Sequence, residues 1–359
     1  MKKKLLLHIT LLTFVSTVVC AQGVTTPRTP SPAAMVSQTI GVSKVTVSYS
    51  RPSVKGREIW GALVPYGWNK QGFGFNTDAP WRAGANENTT IEFSHDVKVE
   101  GKAVPAGKYG LFFVINKDNS GEVILSKDNR SWGSFFYVAA NDQLRAPITV
   151  RDHASTEMLA YEFNNADKNS VELDLNWEKK QFPVKVEFAV DNLVMANATE
   201  ELKGPVGFNW QGYSSAANYA LQNKTNTEQA MKWIDQAIQQ NKNFTTVRIK
   251  SGLLKLAGNT SDADKLMTEA TAMATEVELN AYGYQLIGQN EKTKAIEILN
   301  LNTVRYPNSA NAWDSLGEAY ALNSDSKNAI QSFKKSLSLN PPDNVRVNSE
   351  KYLKQLGAL

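Results

Sequence analysis

The hydrophobic pattern changes period once, near residue 200, and that change restricts the chain to two architectures joined end to end. From Val45 to Val190 apolar residues recur at every second position. Val45, Val47 and Tyr49 alternate with Thr46, Ser48 and Ser50. Val171, Leu173, Leu175 and Trp177 alternate with Glu172, Asp174 and Asn176, and Val184, Val186 and Phe188 with Lys185, Glu187 and Ala189. Successive side chains on a strand point to opposite faces, so each run has one buried face and one wet face. Between these runs lie "TTIEFSHDVKVE", "KYGLFFVIN", "GEVILSK", "PITVRD" and "LAYEFNN", separated by clusters of Gly, Asn, Asp and Pro. Roughly eight short strands with turn signals between them predict an antiparallel sandwich or barrel, placed over residues 22–195.

Gly204, Pro205 and Gly207 predict a linker over 196–210. Beyond it, residues 211–359 carry Ala, Leu, Lys, Gln and Glu at helical spacing, with an internal repeat. Trp313, Leu316, Gly317 and Tyr320 precede Ala329 and Phe333, and Pro341 closes the unit. One unit earlier, Leu279, Tyr282, Gly283 and Leu286 precede Ala295, Leu299 and Pro307. Small residues let two helices cross closely, and the aromatic and Leu positions fill the gap. The pattern resembles the tetratricopeptide repeat, clearest over 276–309 and 310–343. Two weaker copies precede it, one through Ala217, Leu221, Ala230, Ile234 and Ala237, the other around Gly252, Leu253 and Leu256. A terminal helix is expected over 343–357. The resemblance implies an α-helical solenoid that takes a peptide or protein on its concave face; the alternative is a packing or dimerisation module.

The first residues read as an export leader. "MKKKLLLHITLLTFVSTVVCAQ" has a basic start, an apolar run and small residues before Gln22, so residues 1–21 are expected to be a signal peptide. The mature protein is then exported, periplasmic or extracellular. A lipid anchor through Cys20 is the lesser alternative, because Val19 is bulky where such signals want Gly or Ala. Cleavage after Ala21 removes the one cysteine of the chain and lowers the formal charge from +4 to +1 as Lys2, Lys3 and Lys4 leave. No disulfide then supports the fold. A near-neutral chain lacks the basic field that nucleic acid requires, and no later stretch approaches a membrane span.

Function concentrates in "SYSRPSVKGREIWGALVPYG", residues 48–67, where Arg51, Lys55 and Arg57 fall within seven residues. Pro52 suits a strand edge and Gly56 a tight reversal. If 51–57 is extended, these cations share one face with Ser53. The segment "WRAGANE" adds Trp81, Arg82, Asn86 and Glu87. Guanidinium groups grip carboxylate or phosphate as a fork and Lys55 acts as a point charge, so a small anionic or sugar ligand is the expected occupant. Trp60, Tyr66, Trp68 and Trp81 are candidate walls; Arg82 paired to Glu87 as a plain brace is the alternative. "SPAAMVSQTIGVSKVTVSYSRPSVKGREIWGALVPYG" with "WRAGANENTTIEFSHDVKVEGKAVPAGKYGLF" is similar to a bacterial family known as domain of unknown function 2911, over roughly residues 28–190. That resemblance implies an exported β-rich domain and transfers no catalytic residue. "GWNKQGFGFNTDA" departs from the family pattern as an extra loop that would cover or reshape a site between the two motifs.

Catalytic signatures are missing from the sequence. There is no Gly-x-Ser-x-Gly elbow, and His95 and His153 lie outside any metal-ligand spacing, so no catalytic residue, cofactor or metal site is expected. Ser94-His95-Asp96 is read as strand, where neighbours face opposite ways. The expected protein is a non-enzymatic binding or assembly protein. The alternative is an envelope enzyme acting on a sugar or anionic substrate through the basic loop and "WRAGANE".

Overall fold

The computed structural model describes residues 31–359, so the expected leader and Cys20 lie outside the described residues. The chain divides between Phe188 and Ala189 into two compact units. The first carries strands β1 (Ala33–Ile40), β2 (Ser43–Ser50), β3 (Asn69–Lys70), β4 (Asp78–Ala79), β5 (Thr90–Phe93) and β6 (Val97–Val99). It continues with β7 (Lys102–Val104), β8 (Gly107–Ile115), β9 (Ser120–Ser126), β10 (Asp142–Thr149), β11 (Arg151–Asn164) and β12 (Ser170–Glu187).

Alternation decides how β2 faces, whereas β8 and the middle of β12, with Asp174 and Asn176, are buried on both sides. In β2, Val45 and Val47 are fully buried while Lys44 between Ser43 and Val45 stays exposed. One antiparallel sheet runs in the order β1-β2-β5-β8-β9-β10 and a second in the order β11-β12-β6-β7. Tyr49 of β2 meets Tyr161 of β11 edge-on at 4.7 Å, and Phe113 of β8 meets Phe182 of β12 at 5.3 Å, so the sheets share one apolar interior. The extra loop closes on itself as the small β3-β4 hairpin. Among the described residues twelve strands form where the sequence suggested about eight, because β3, β4, β6 and β7 have only two or three residues each and are too short for a period to show.

The second unit begins with α1 (Val190–Glu201), so residues 196–210 are not an extended linker. Met195 and Leu202 join the buried cluster of Ala217, Ala220 and Trp233. A Cβ on Gly207 would lie 2.0 Å from the Leu202 carbonyl, so that glycine marks close packing rather than a flexible joint. Four helical hairpins follow: α2 (Trp210–Gln222) with α3 (Thr227–Gln240), α4 (Phe244–Leu256) with α5 (Thr260–Met273), α6 (Glu276–Gly288) with α7 (Lys292–Arg305), and α8 (Ala310–Leu322) with α9 (Ser326–Ser338).

Within the last two hairpins the small residue does what the repeat predicts. A Cβ on Gly283 would come 2.5 Å from Leu299, and one on Gly317 2.9 Å from the Phe333 ring. Leu279, Ala295, Leu316 and Ala329 are buried around these contacts, with Tyr282, Trp313 and Tyr320 packed at their margins. Trp313 also donates its indole N–H to the Pro307 carbonyl, and Arg346 donates to that of Pro341. The terminal helix α10 (Asp343–Gln355) covers the end by stacking Tyr352 on Phe333 at 5.0 Å.

Candidate functional site

In the β unit, the segment after β2 is turned rather than extended. Lys55 and Gly56 both have positive φ, 49° and 68°, which breaks the expected single-faced row. Arg51 leaves the row altogether and donates Nε to the Leu159 carbonyl at 2.9 Å, tying the end of β2 to β11. Arg57 folds back on the turn, donating to the carbonyls of Val54 and Ser53, and the Lys55 amide donates to Glu157. The turn is thereby fixed, with the Lys55 and Arg57 side chains left exposed.

"WRAGANE" lies opposite. Trp81 pairs with Phe113 at the margin of the sandwich, exchanging backbone hydrogen bonds of 2.9 Å in both directions. Ala83, at φ 53°, and Asn86, at φ 63°, reverse the chain. Arg82 donates Nη1 to the Asn86 carbonyl at 2.6 Å and lies 5.2 Å from the Phe135 ring centre. Gly133 passes directly against it: a Cβ there would sit 2.3–2.6 Å from guanidinium atoms. Burial lowers the Arg82 pKa, and among the described residues no carboxylate pairs with it. Asn86 in turn donates to the Ser31 carbonyl at 3.2 Å.

Together these segments enclose a cavity of about 630 Å³, lined by Lys55, Arg57, Trp81, Arg82 and Asn86 among others. Arg51 and Glu87 are not in its lining; Glu87 is exposed and borders a separate shallow depression beside Met35 and Tyr49. The extra hairpin contributes Gly67, Asn69, Gln71 and Ala79 to the wall. Of the aromatics expected as walls, only Trp81 lines it. Trp60 braces Trp81 edge-on at 5.7 Å, and Trp68 packs on Tyr137 beneath Arg145. Trp132, Phe135 and Trp177 complete the lining and escape a reading of the sequence. Alternation marks Trp177 only as an inward residue, and "SKDNRSWGS" shows no period at all. Trp177 stacks on Trp81 at 5.8 Å and 14°, is 1% exposed, and its indole N–H has no hydrogen-bond partner among the described residues.

The described lining holds no Asp, Glu, His or Cys. Ser94, His95 and Asp96 sit in the reversal between β5 and β6, not on a strand. Ser94 Oγ bonds His95 Nδ1 at 2.9 Å, but Asp96 is occupied by the Ala106 amide. Among the described residues no group of three or more His, Cys, Asp or Glu is placed to hold a metal ion, and no helix is long and apolar enough to cross a membrane.

The helical unit has a groove of its own, about 660 Å³, bordered by α2, α4, α5, α6 and α7. Lys224, Arg248, Lys255 and Lys294 line it, against Asp264 and Glu291. Arg248 lies 6.0 Å from both the Phe244 and Tyr282 ring centres and donates to Gln285 at 3.2 Å. Burial lowers its pKa, with the nearby Tyr282 opposing.

Residues 31–186 match the family model described as protein of unknown function (DUF2911), and residues 310–343 match that of the tetratricopeptide repeat. The β unit is a DUF2911 domain. No curated protein matches the chain. Among solved structures it is similar to YrrB, described as a TPR protein with an unusual peptide-binding site, at 16% identity over 45% of this chain and 89% of that one, with a TM-score of 0.27. It is also similar to pilF of Pseudomonas aeruginosa, at 22% identity over 42% of this chain and 71% of that one, TM-score 0.28. MamA of Desulfovibrio magneticus is a third, at 17% identity over 43% and 92% of the two chains, TM-score 0.25. The tetratricopeptide match coincides with α8, α9 and the turn into α10, and the DUF2911 match ends one residue before the last residue of β12.

Proposed function

We propose that this is a binding protein in which the cavity of the DUF2911 domain takes a small anion and the helical repeats take a protein partner. The observation that carries the reading is the guanidinium of Arg82, half-buried in a lining it shares with Lys55 and Arg57, with no carboxylate partner among the described residues. A charge removed from water without an opposite charge is unfavourable, and an anion entering the cavity relieves it. A sugar-cleaving enzyme would need two carboxylates flanking the bond, so the lining favours binding over that chemistry. The deciding experiment is thermal denaturation of the full chain with anionic compounds and their neutral counterparts. A ligand of the folded state raises the midpoint with concentration. Anions should do so in wild type and lose the effect in Arg82→Gln; equal shifts from neutral counterparts would refute the reading.

For the helical unit, four cations against two acids in the groove favour an acidic segment of the partner. Labelled deca-glutamate should bind the full chain and deca-lysine should not, with weakening in Arg248→Gln. The leader at 1–21 supports export, and the two units supply two separate binding surfaces on one exported chain.

A further inference from the structure

We propose that the ligand of the DUF2911 cavity is an acidic sugar, a hydroxylated ring carrying a carboxylate or phosphate; this rests on the small-anion reading and narrows it. A plain anion needs donors only, and the cavity offers more than donors. Asn69 gives its amide N–H to the Tyr66 and Gly67 carbonyls, Gln71 to that of Asn69, and Asn86 to that of Ser31. These bonds fix which end of each amide faces the backbone. The three side-chain oxygens accept nothing among the described residues, and an amide oxygen has two lone pairs to fill. Hydroxyl groups are the donors that fill them while the ring's anionic substituent meets Lys55, Arg57 and Arg82.

The indole N–H of Trp177 fits the same ligand. It is buried, has no acceptor among the described residues, and belongs to a residue of the cavity lining. Leaving such a donor unmet is unfavourable, and an orphaned buried group in a native fold calls for a partner outside the chain. The stacked Trp81–Trp177 pair, braced edge-on by Trp60 at 5.7 and 6.0 Å, gives a stiff flat wall against which the C–H face of a sugar ring packs. A volume of about 630 Å³ exceeds what phosphate or acetate fills and lies within the usual range of small-molecule sites, about 300–1,000 Å³.

The test is calorimetric titration of the full chain, with tryptophan fluorescence as a second readout. The probes are trigalacturonate, glucose 6-phosphate, glucose, acetate and inorganic phosphate. At least one acidic sugar should bind at least tenfold more tightly than glucose, acetate and phosphate. Which of trigalacturonate and glucose 6-phosphate binds tells an acidic glycan from a free sugar phosphate. Lys55→Gln, at an exposed side chain, should weaken acidic sugars by about tenfold, the low end for one charge-assisted bond. Gln71→Met keeps the length of the side chain and removes its acceptor together with its bond to the Asn69 carbonyl; it should weaken the acidic sugar more than acetate or phosphate. Acetate or phosphate binding as tightly as the sugars would overturn the sugar assignment and leave the anion site standing. Glucose binding as tightly, or no probe binding at all, would remove both.

Discussion

Gly133 gives the sharpest check on how the cavity holds its charge. Its φ is +63°, and a Cβ added there would lie 2.3, 2.4 and 2.6 Å from guanidinium atoms of Arg82. Gly101, in the turn between β6 and β7, has φ +75° and nothing within 4 Å of the same added atom. Gly133→Ala and Gly101→Ala therefore share one penalty, an alanine in the left-handed region, about 1–2 kcal/mol. Only Gly133→Ala also drives the guanidinium off its seat. That move breaks the bond to the Asn86 carbonyl, a hydrogen bond to a charged donor contributing about 1.5–3 kcal/mol. It also pulls Arg82 from the Phe135 ring, about 0.5–1 kcal/mol in a partly exposed setting. The two variants should differ by roughly 2–4 kcal/mol. Urea unfolding followed by tryptophan fluorescence reads this, since Trp81 and Trp177 line the same cavity. Gly133→Ala should also lose ligand affinity while Gly101→Ala keeps it. Equal stabilities within about 0.5 kcal/mol would show that Arg82 is not held as described.

In the repeats, Gly283→Ala and Gly288→Ala lie on one helix and both gain up to about 1 kcal/mol of helix propensity. Gly288 has nothing within 4 Å, whereas Gly283 meets Leu299, so Gly283→Ala should be less stable than Gly288→Ala by about 1–3 kcal/mol in denaturation followed at 222 nm. Asp314, buried, accepts hydrogen bonds from Ser349 and Asn348, yet burial outweighs them and raises its pKa. The folded chain thus holds that proton to higher pH than the unfolded one. Its contribution is full below the ordinary aspartate range and is lost as pH rises through the raised value. Asp314→Asn should show a stability–pH curve lacking this fall; an unchanged slope would refute it.

The sandwich was legible because β2 and β12 are long enough for alternation in the sequence to declare a strand, and the repeats because Gly283 and Gly317 each sit where one helix needs the room. The cavity was half legible. A density of cations marked 51–57 and the single Arg82 beside Trp81 marked 81–87, but a count of charges says nothing of direction. The positive φ of Lys55 turned the row, Arg51 found the Leu159 carbonyl a hundred residues away, and Glu87 faced elsewhere. Trp177 was hidden because an inward residue on a strand looks the same whether it fills a core or walls a hollow, and Phe135 because it lies in a turn with no period to read. The supposed linker failed because Gly204, Pro205 and Gly207 are signals of local backbone freedom, whereas Met195 and Leu202 make a tertiary claim on the segment.

The matched offsets of the helical unit carry a consequence for its lineage. Gly283 faces Leu299 as Gly317 faces Phe333, and Tyr284 bonds Glu318 as Asp314 bonds Asn348. Each link joins a unit only to itself or to the next, so a duplicated segment spanning Ala310 to Asp343 finds its neighbours already shaped for it. Such a duplicate carries its own Phe333, the ring on which Tyr352 stacks to close the end.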